Sequence, residues 1–357
     1  MLYRETGQFK TCYSADQAIF PIFQDKIFIL VWLVIAFVAV PLIASEYWFQ
    51  VILIPFLVFS LATLGLNILV GYCGQISLGT GAFMAVGAFS AYKIATNVPD
   101  LNIVFVILLS GLITAGVGIL FGLPSLRIKG FYLAVATLAA QFFLIWVFNK
   151  FGWFVNYSPS GSIAIPPMKI FGVIVTSAKA DPVARYFLAL CFTVVLALLA
   201  KNLVRGPTGR SWMAIRDMDI AAEIIGIKPL ATKLKAFAVS SFYIGIAGAL
   251  FFSAWLGTAE SDAFDINLSF DVLFMVIIGG LGSIAGSFLG AAFIVLLPIL
   301  LSNIFVGELG FAVLTAKHIE TMFFGGLIIF FLAVEPHGLA RLWQITKEKL
   351  RIWPFPH

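Results

Sequence analysis

Residues 206–250 read GPTGRSWMAIRDMDIAAEIIGIKPLATKLKAFAVSSFYIGIAGAL. The first half is charged and punctuated by Gly206, Pro207, Gly226 and Pro229. The second half passes from Lys235 into continuous apolar sequence, and another apolar run, 186–203, lies just upstream. Both flanks are hydrophobic enough to cross a lipid bilayer, so the insert is a charged, helix-forming loop between two membrane spans. The fold class follows: an all-α integral membrane protein with one long polar loop on one side.

Composition agrees. Apolar residues make up 61% of the chain, charged residues 11%, and the mean hydropathy is +1.05. Soluble domains have roughly 45–50% apolar and about 25% charged residues. The net charge of +5 does not indicate nucleic-acid binding, because the basic residues sit in loops, where membrane orientation explains them. Cys12, Cys73 and Cys191 are far apart in the chain. They read as buried thiols rather than as a disulfide framework or metal site.

Ten apolar spans fit, near 27–44, 47–70, 78–96, 103–123, 131–151, 186–203, 235–257, 269–281, 284–303 and 319–335. They divide the chain into an N-terminal tail (1–26), a transmembrane region (27–335) and a C-terminal tail (336–357). Most are near the roughly 20 residues that a crossing helix needs. The eighth is too short, and reads as a half-helix or re-entrant segment turning at Gly279-Gly280-Leu281-Gly282-Ser283. The first follows a polar tail without a cleavage motif and is expected to be a retained anchor.

Charge sets the orientation. Lys201, Arg205, Arg210, Arg216, Lys228, Lys233 and Lys235 cluster in and beside the 204–234 loop, Arg127 and Lys129 in 124–130. Arg4, Lys10 and Lys26 lie in the N-tail, and Arg341, Lys347, Lys349 and Arg351 in the C-tail. These are 16 of the 22 Lys and Arg residues. The positive-inside rule makes that side cytoplasmic, and an even number of crossings puts both termini there. The 258–268 loop carries Glu260, Asp262 and Asp265 with no basic residue. It faces outward, together with a proline-containing external loop at 152–185.

Within the cytoplasmic loop, Ser211 is a candidate N-cap and Gly226 a helix stop followed by Pro229. Ala214, Met218, Ala221, Ala222 and Ile225 share one helical face, with Arg216, Asp217, Asp219 and Glu223 elsewhere. Such a helix either rests on lipid headgroups or fits a groove on a protein partner. The acidic character of its charged face and the small Ala221 and Ala222 favour the groove.

Residues 67–83 place glycines among Asn67, Gln75, Ser77 and Thr80 at membrane depth. The glycines read equally as a broken helix lining a path and as a tight packing seam. For Asn67, Gln75 and Ser77 the path reading is stronger, because unpaired polar groups in lipid are expensive. Thr137 and Gln141 share a face of the fifth span and also look inward. Gly282, Gly286 and Gly290 form a small-xxx-small ridge whose role is helix packing.

No G-x-x-x-x-G-K-[ST] loop is present, so ATP hydrolysis is not expected of this chain. His318, His337 and His357 are not spaced to bind metal, and no cofactor is implied. Asp271, Glu320 and Glu335 read as lying near span ends, which counts against an ion-driven carrier.

GYCGQISLGTGAFMAVGAF (71–89), GLPSLRIKGFYLAVATLA (122–139), GRSWMAIRDMDIAAEIIGI (209–227) and IIGGLGSIAGSFLGA (277–291) together resemble the LivM-type permease of branched-chain amino acid ABC importers. The resemblance runs in order across most of 50–335. It implies a permease fold in the bacterial inner membrane, a second, LivH-like permease, two cytoplasmic ATPases and a periplasmic substrate-binding protein. It also implies that Arg210, Trp212, Arg216, Asp217, Asp219, Ala221, Ala222, Glu223 and Gly226 belong to the ATPase-coupling segment. Many importer permeases carry E-A-A-x-x-x-G there. Here Ile220 replaces that Glu and the acid is Glu223. Related importers for urea, short amides or aromatic acids are the alternative, and a self-contained carrier or channel is the alternative of another class.

Overall fold

The computed structural model describes residues 11–12, 23–125, 132–170, 172–176, 180–334 and 338–352. Arg4, Lys10, Arg127, Lys129, Glu335, His337 and His357 lie outside the described residues.

Thirteen helices carry the described chain. They are α1 Asp25–Ile43, α2 Trp48–Tyr72, α3 Thr80–Asn97, α4 Ile103–Ser125, α5 Tyr132–Lys150, α6 Pro182–Arg205 and α7 Pro207–Asp217. Then come α8 Asp219–Ile224, α9 Pro229–Leu256, α10 Ile266–Gly279, α11 Ile284–Glu308, α12 Val313–Val334 and α13 Gly338–Ile352. Proline opens α6, α7 and α9, where its missing N–H has no intrahelical acceptor to lose. Asp181, Asp265 and Ser283 cap α6, α10 and α11 by accepting from the N–H of Val183, Leu268 and Gly286.

Eight helices among the described residues are long and apolar enough to cross a membrane. The other two expected spans differ from these in kind. α3 is diluted by Thr80, Ser90, Tyr92, Lys93 and Asn97 and is almost entirely buried. α10 has only 14 residues.

Two units of the same plan meet at the centre. In the first, α2 ends in a π-helical turn (Ile68–Tyr72), a non-helical segment at 74–79 follows, and then α3 and α4. In the second, α9 ends in a π-helical turn (Phe251–Leu256), an irregular segment at 257–265 follows, and then α10 and α11. α2 and α9 pack antiparallel: Phe59 meets Phe251 and Trp255 at 6.1 and 5.8 Å, while Gly65 lies against Tyr243 near the other end. Each of the pair also packs on the other unit's helices, α2 on α10 and α11, α9 on α3 and α4. The two units are therefore inverted relative to one another, an arrangement common in transporters.

Small residues allow these approaches. A methyl group at Gly290 would overlap the Met275 carbonyl, and one at Gly248 the Met84 carbonyl, so α10–α11 and α3–α9 cross with backbones nearly touching. Gly286 faces Gly279 in the first of these seams. Gly282 is not part of it. It sits in the α10–α11 turn at φ +71°, a conformation that an L side chain rarely adopts.

One end of the bundle collects α7, α8, the start of α1 and α13. Lys347 pairs with Asp25 at 3.6 Å, and Trp343 lies 6.4 Å from Phe28. The opposite end is covered by two short strand pairs, Ile163–Ala164 with Thr258–Ala259 and Lys169–Ile170 with Val173–Ile174. Many large apolar side chains on the outer helices are exposed, including Leu42, Leu120, Phe142 and Met322, as a lipid-facing surface requires. The cysteine expectation needs correction. Cys73 is buried, but Cys12 and Cys191 are exposed, because α6 turns Cys191 toward the outer surface of the bundle.

Candidate functional site

The charged loop forms two helices rather than one. Met218 is extended (φ −161°, ψ 99°) and separates α7 from α8. Ser211 is no cap, since its hydroxyl donates to the Pro207 carbonyl at 3.0 Å inside α7. Gly226 does end α8, at φ +92°, with the Ile227 N–H reaching back to the Ala222 carbonyl at 3.0 Å. Trp212 is fully buried and its indole N–H donates to the Thr232 carbonyl at 3.2 Å, which fixes α7 to the first turn of α9.

The faces of α8 also differ from expectation. Ala222 is 2% exposed and packs within this chain. The side chains turned outward are Met218 (65%), Ile220 (64%), Ile224 (82%) and Ile225 (74%), with Ala221, Glu223 and Arg210 exposed around them. An apolar cluster of this size on a charged, non-spanning segment is unusual for a surface that stays in water. Asp219 lies 3.8 Å from Lys233, and Asp217 pairs with Arg216 at 2.9 Å. Both pairs are partly exposed and contribute little, about 0–1 kcal/mol each.

Arg216 makes the connection inward. Its Nη1 donates to the Gly71 carbonyl at 2.9 Å, the end of α2. The guanidinium side chain lies over two turns: a Cβ at Gly74 would sit 3.0 Å from its Cγ, and one at Gly282 3.3 Å from its Nη1. Both glycines have positive φ. Asn67 completes the joint from the side of α2. Its amide donates to the Ser283 carbonyl (2.8 Å) and to Ser287 Oγ (2.9 Å), and accepts from the Gly282 N–H (2.9 Å). One guanidinium and one amide thus bind the charged loop, the end of α2 and the α10–α11 turn into a single cluster.

A second cluster lies deeper. The non-helical 74–79 segment leads to α3, and the 257–265 segment leads to α10, so that the N-termini of the two helices meet. Unpaired N–H groups at such termini need acceptors. Gln141 supplies them from the centre of α5: Oε1 accepts from the Ala82 N–H (2.7 Å) and Ser269 Oγ (3.0 Å), and Nε2 donates to the Phe264 carbonyl (2.8 Å). Ser269 accepts from the Gly81 N–H at 2.7 Å, and Thr137 accepts from the Leu78 N–H at 2.9 Å.

The polar residues singled out in the sequence therefore fall into distinct environments. Asn67, Thr137 and Gln141 are buried and their side chains are bonded to backbone at the helix breaks. Ser77 and Thr80 are buried, and Thr80 Oγ1 has no hydrogen-bond partner. Gln75 is half-buried, with a long 3.4 Å contact to the Cys73 carbonyl. Sequence reasoning missed Ser269, Ser283 and Ser287, because a serine among apolar residues carries no signal of what it caps.

It also misplaced Asp271. Because α10 starts at Ile266 against the centre of α5, Asp271 lies well inside the bundle's length rather than near a span end. Asn267 and Asp271 form an exposed polar pair on α10. Glu320 is a buried residue of α12, bonded to Lys317 at 2.7 Å. Among the described residues no group of His, Cys, Asp and Glu could hold a metal ion.

Comparison with known proteins gives a consistent picture. The family described as the permease component of branched-chain amino acid transport systems matches residues 49–332. The high-affinity branched-chain amino acid transport system permease protein LivM of Salmonella typhimurium is 30% identical over 349 residues, covering 92% of this chain and 77% of that protein. The Escherichia coli protein of the same description is 29% identical over the same shares. A probable LivM of Methanocaldococcus jannaschii is 24% identical over 269 residues, 73% of this chain and 74% of that protein. No solved structure matches the chain.

Proposed function

We infer the function from one premise: the chain belongs to the family of permease components of branched-chain amino acid transport systems. It is a multi-pass membrane permease subunit of an ABC importer, and its role is translocation rather than catalysis. Our reading of the partners is a second, LivH-like permease, two cytoplasmic ATPases and a periplasmic binding protein, assembled in a bacterial inner membrane.

The observation that carries the mechanism is the exposed apolar tip of α8. Met218, Ile220, Ile224 and Ile225 are held out by a segment whose own core, Trp212, Ile215 and Ala222, is buried. A rigid knob of this kind fits an apolar groove on an ATPase. When the ATPases close, the push reaches α7, and Arg216 passes it to the Gly71 carbonyl and the Gly282 turn. From there it reaches α2, α10 and α11 together, because Asn67 ties these elements to each other. In this scheme Asn67, Thr137 and Gln141 act as splints that keep the helix breaks in shape beside the translocation path. Gln75 and Ser77 lie in the non-helical segment that moves, and Thr80 opens α3 at its end. The Gly286 and Gly290 seam keeps α10 and α11 moving as one body.

The test is retention of the ATPases by the purified importer. Ile224 is 82% exposed, so Ile224→Glu leaves the permease fold intact while placing a charge in the proposed contact. The expected result is an inserted permease that no longer holds its ATPases and shows no substrate-stimulated ATP hydrolysis. Normal retention and normal uptake would place the coupling contact elsewhere.

A further inference from the structure

α10 carries a carboxylate, Asp271, that its surroundings compensate only in part. Gln141 lies at the centre of the 19-residue α5 and bonds the Phe264 carbonyl, so α10 begins about half-way across the bundle. At about 1.5 Å per residue, Asp271 sits about 9 Å below the Asp265 cap, toward the α7–α8 end. That is within the inner half of a hydrocarbon layer about 30 Å thick.

Asp271 is exposed, and it makes no hydrogen bond or ion pair among the described residues. Asn267, one turn earlier on the same face, is also exposed. The charges that reach Asp271 are the Asp265 carboxylate and the Lys317 ammonium of α12. Lys317 is already bonded to Glu320 at 2.7 Å, so it compensates Asp271 only in part. The rest of α10 is apolar apart from Ser269, which is spent on the α3 N-terminus. An ionisable side chain at this depth is expensive against lipid and is kept where it meets water, a counter-charge or a cargo.

We propose that the Asn267–Asp271 face of α10 lines the translocation path and that Asp271 receives the ammonium group of a zwitterionic amino acid as it passes. This rests on the importer reading, which supplies a cargo with one cationic and one anionic group on an apolar body. A carboxylate pairs with the ammonium. The polar Asn267 stands where the cargo would leave the half-helix junction, and the neighbouring apolar residues of α10 suit an aliphatic side chain.

The test uses the complete importer in proteoliposomes. Asp271→Asn should lower uptake of L-leucine about tenfold or more at subsaturating concentration, the effect of losing one charge-assisted contact. Recovery of the assembled complex should not change, and Asp271→Glu should retain more uptake than Asp271→Asn. In a background lacking Cys12, Cys73 and Cys191, Asp271→Cys should react with 2-aminoethyl methanethiosulfonate, and leucine should slow the reaction. Uptake by Asp271→Asn within twofold of the unaltered importer overturns the proposal. So does an inert Asp271→Cys, which would mean cover by lipid or protein. Loss of the second permease from the Asp271→Asn complex overturns it too, since Asp271 would then pair with that partner. Import by the unaltered complex of only cargo without a cationic group would instead bring down the amino-acid reading on which the proposal rests.

Discussion

Asn67 offers the most quantitative test of the joint between the charged loop and the bundle. It is fully buried and makes three hydrogen bonds at 2.8–2.9 Å, to the Ser283 carbonyl, the Ser287 hydroxyl and the Gly282 N–H. Interhelical polar contacts in membrane proteins average about 0.6 kcal/mol, and hydrogen bonds in proteins generally about 0.5–1.5 kcal/mol. Removing all three by Asn67→Ala should therefore cost about 2–4 kcal/mol. Ser287→Ala removes one of the three and should cost about 1 kcal/mol. The double variant should cost scarcely more than Asn67→Ala alone, because the Ser287 hydroxyl has already lost its amide donor. The assay is unfolding of the purified permease in mixed micelles titrated with SDS, followed by tryptophan fluorescence. A cost for Asn67→Ala within about 0.5 kcal/mol, as at an inconsequential surface position, would refute the splint. Strict additivity of the two substitutions would show that the two side chains act independently.

Three further outcomes are expected. Arg216→Ala removes the bond to the Gly71 carbonyl but not the exposed tip of α8, so ATPases should remain bound and hydrolyse ATP while uptake per ATP falls. Arg216→Lys should restore part of that ratio, and an unchanged ratio in Arg216→Ala would show that force enters by another route. Gly290→Leu should reduce the yield of folded protein, since even a methyl group there overlaps the Met275 carbonyl; normal yield with selectively lost uptake would make the seam a gate. Cysteines at Glu223 and Asp262, both exposed, should label from opposite sides of the membrane in a background lacking the native cysteines, and labelling from one side would overturn the orientation.

The fold class was legible because burial in lipid leaves a strong compositional record. Apolar runs of crossing length and basic residues in loops both follow from the cost of placing polar and charged groups in lipid. The glycines of 67–83 read equally as a break and as a packing seam, whereas helix interruptions were legible at Gly226 and at the turn holding Gly282, both with positive φ. The break at Met218 was not, because an ordinary side chain adopts extended backbone there without any local sequence signal. Facing was harder still. Ala222 belongs to an apolar stripe on any helical wheel, but the wheel of a six-residue helix cannot say whether that stripe meets its own chain or a partner. The depth of Asp271 was hidden for a topological reason: α10 starts half-way across the bundle, which depends on Gln141, more than a hundred residues earlier in the chain.

The two inverted units bear on how transport acquires a direction. Their cores use the same parts in opposite orientations, so a core of this kind has no intrinsic preference for inward over outward flow. What distinguishes the two ends is what is fastened to each. At one end, Arg216 and Asn67 clamp the end of α2 to the α10–α11 turn and connect both to the exposed tip of α8. At the other, the segment after α9 is held by the short pairing of Thr258–Ala259 with Ile163–Ala164 and by the bond from Gln141 to the Phe264 carbonyl, with no comparable link to a projecting apolar tip among the described residues. Vectorial transport would then be a property of these attachments, one end driven and the other yielding. Grafting the driven clamp onto the opposite end would be the change that reverses the machine.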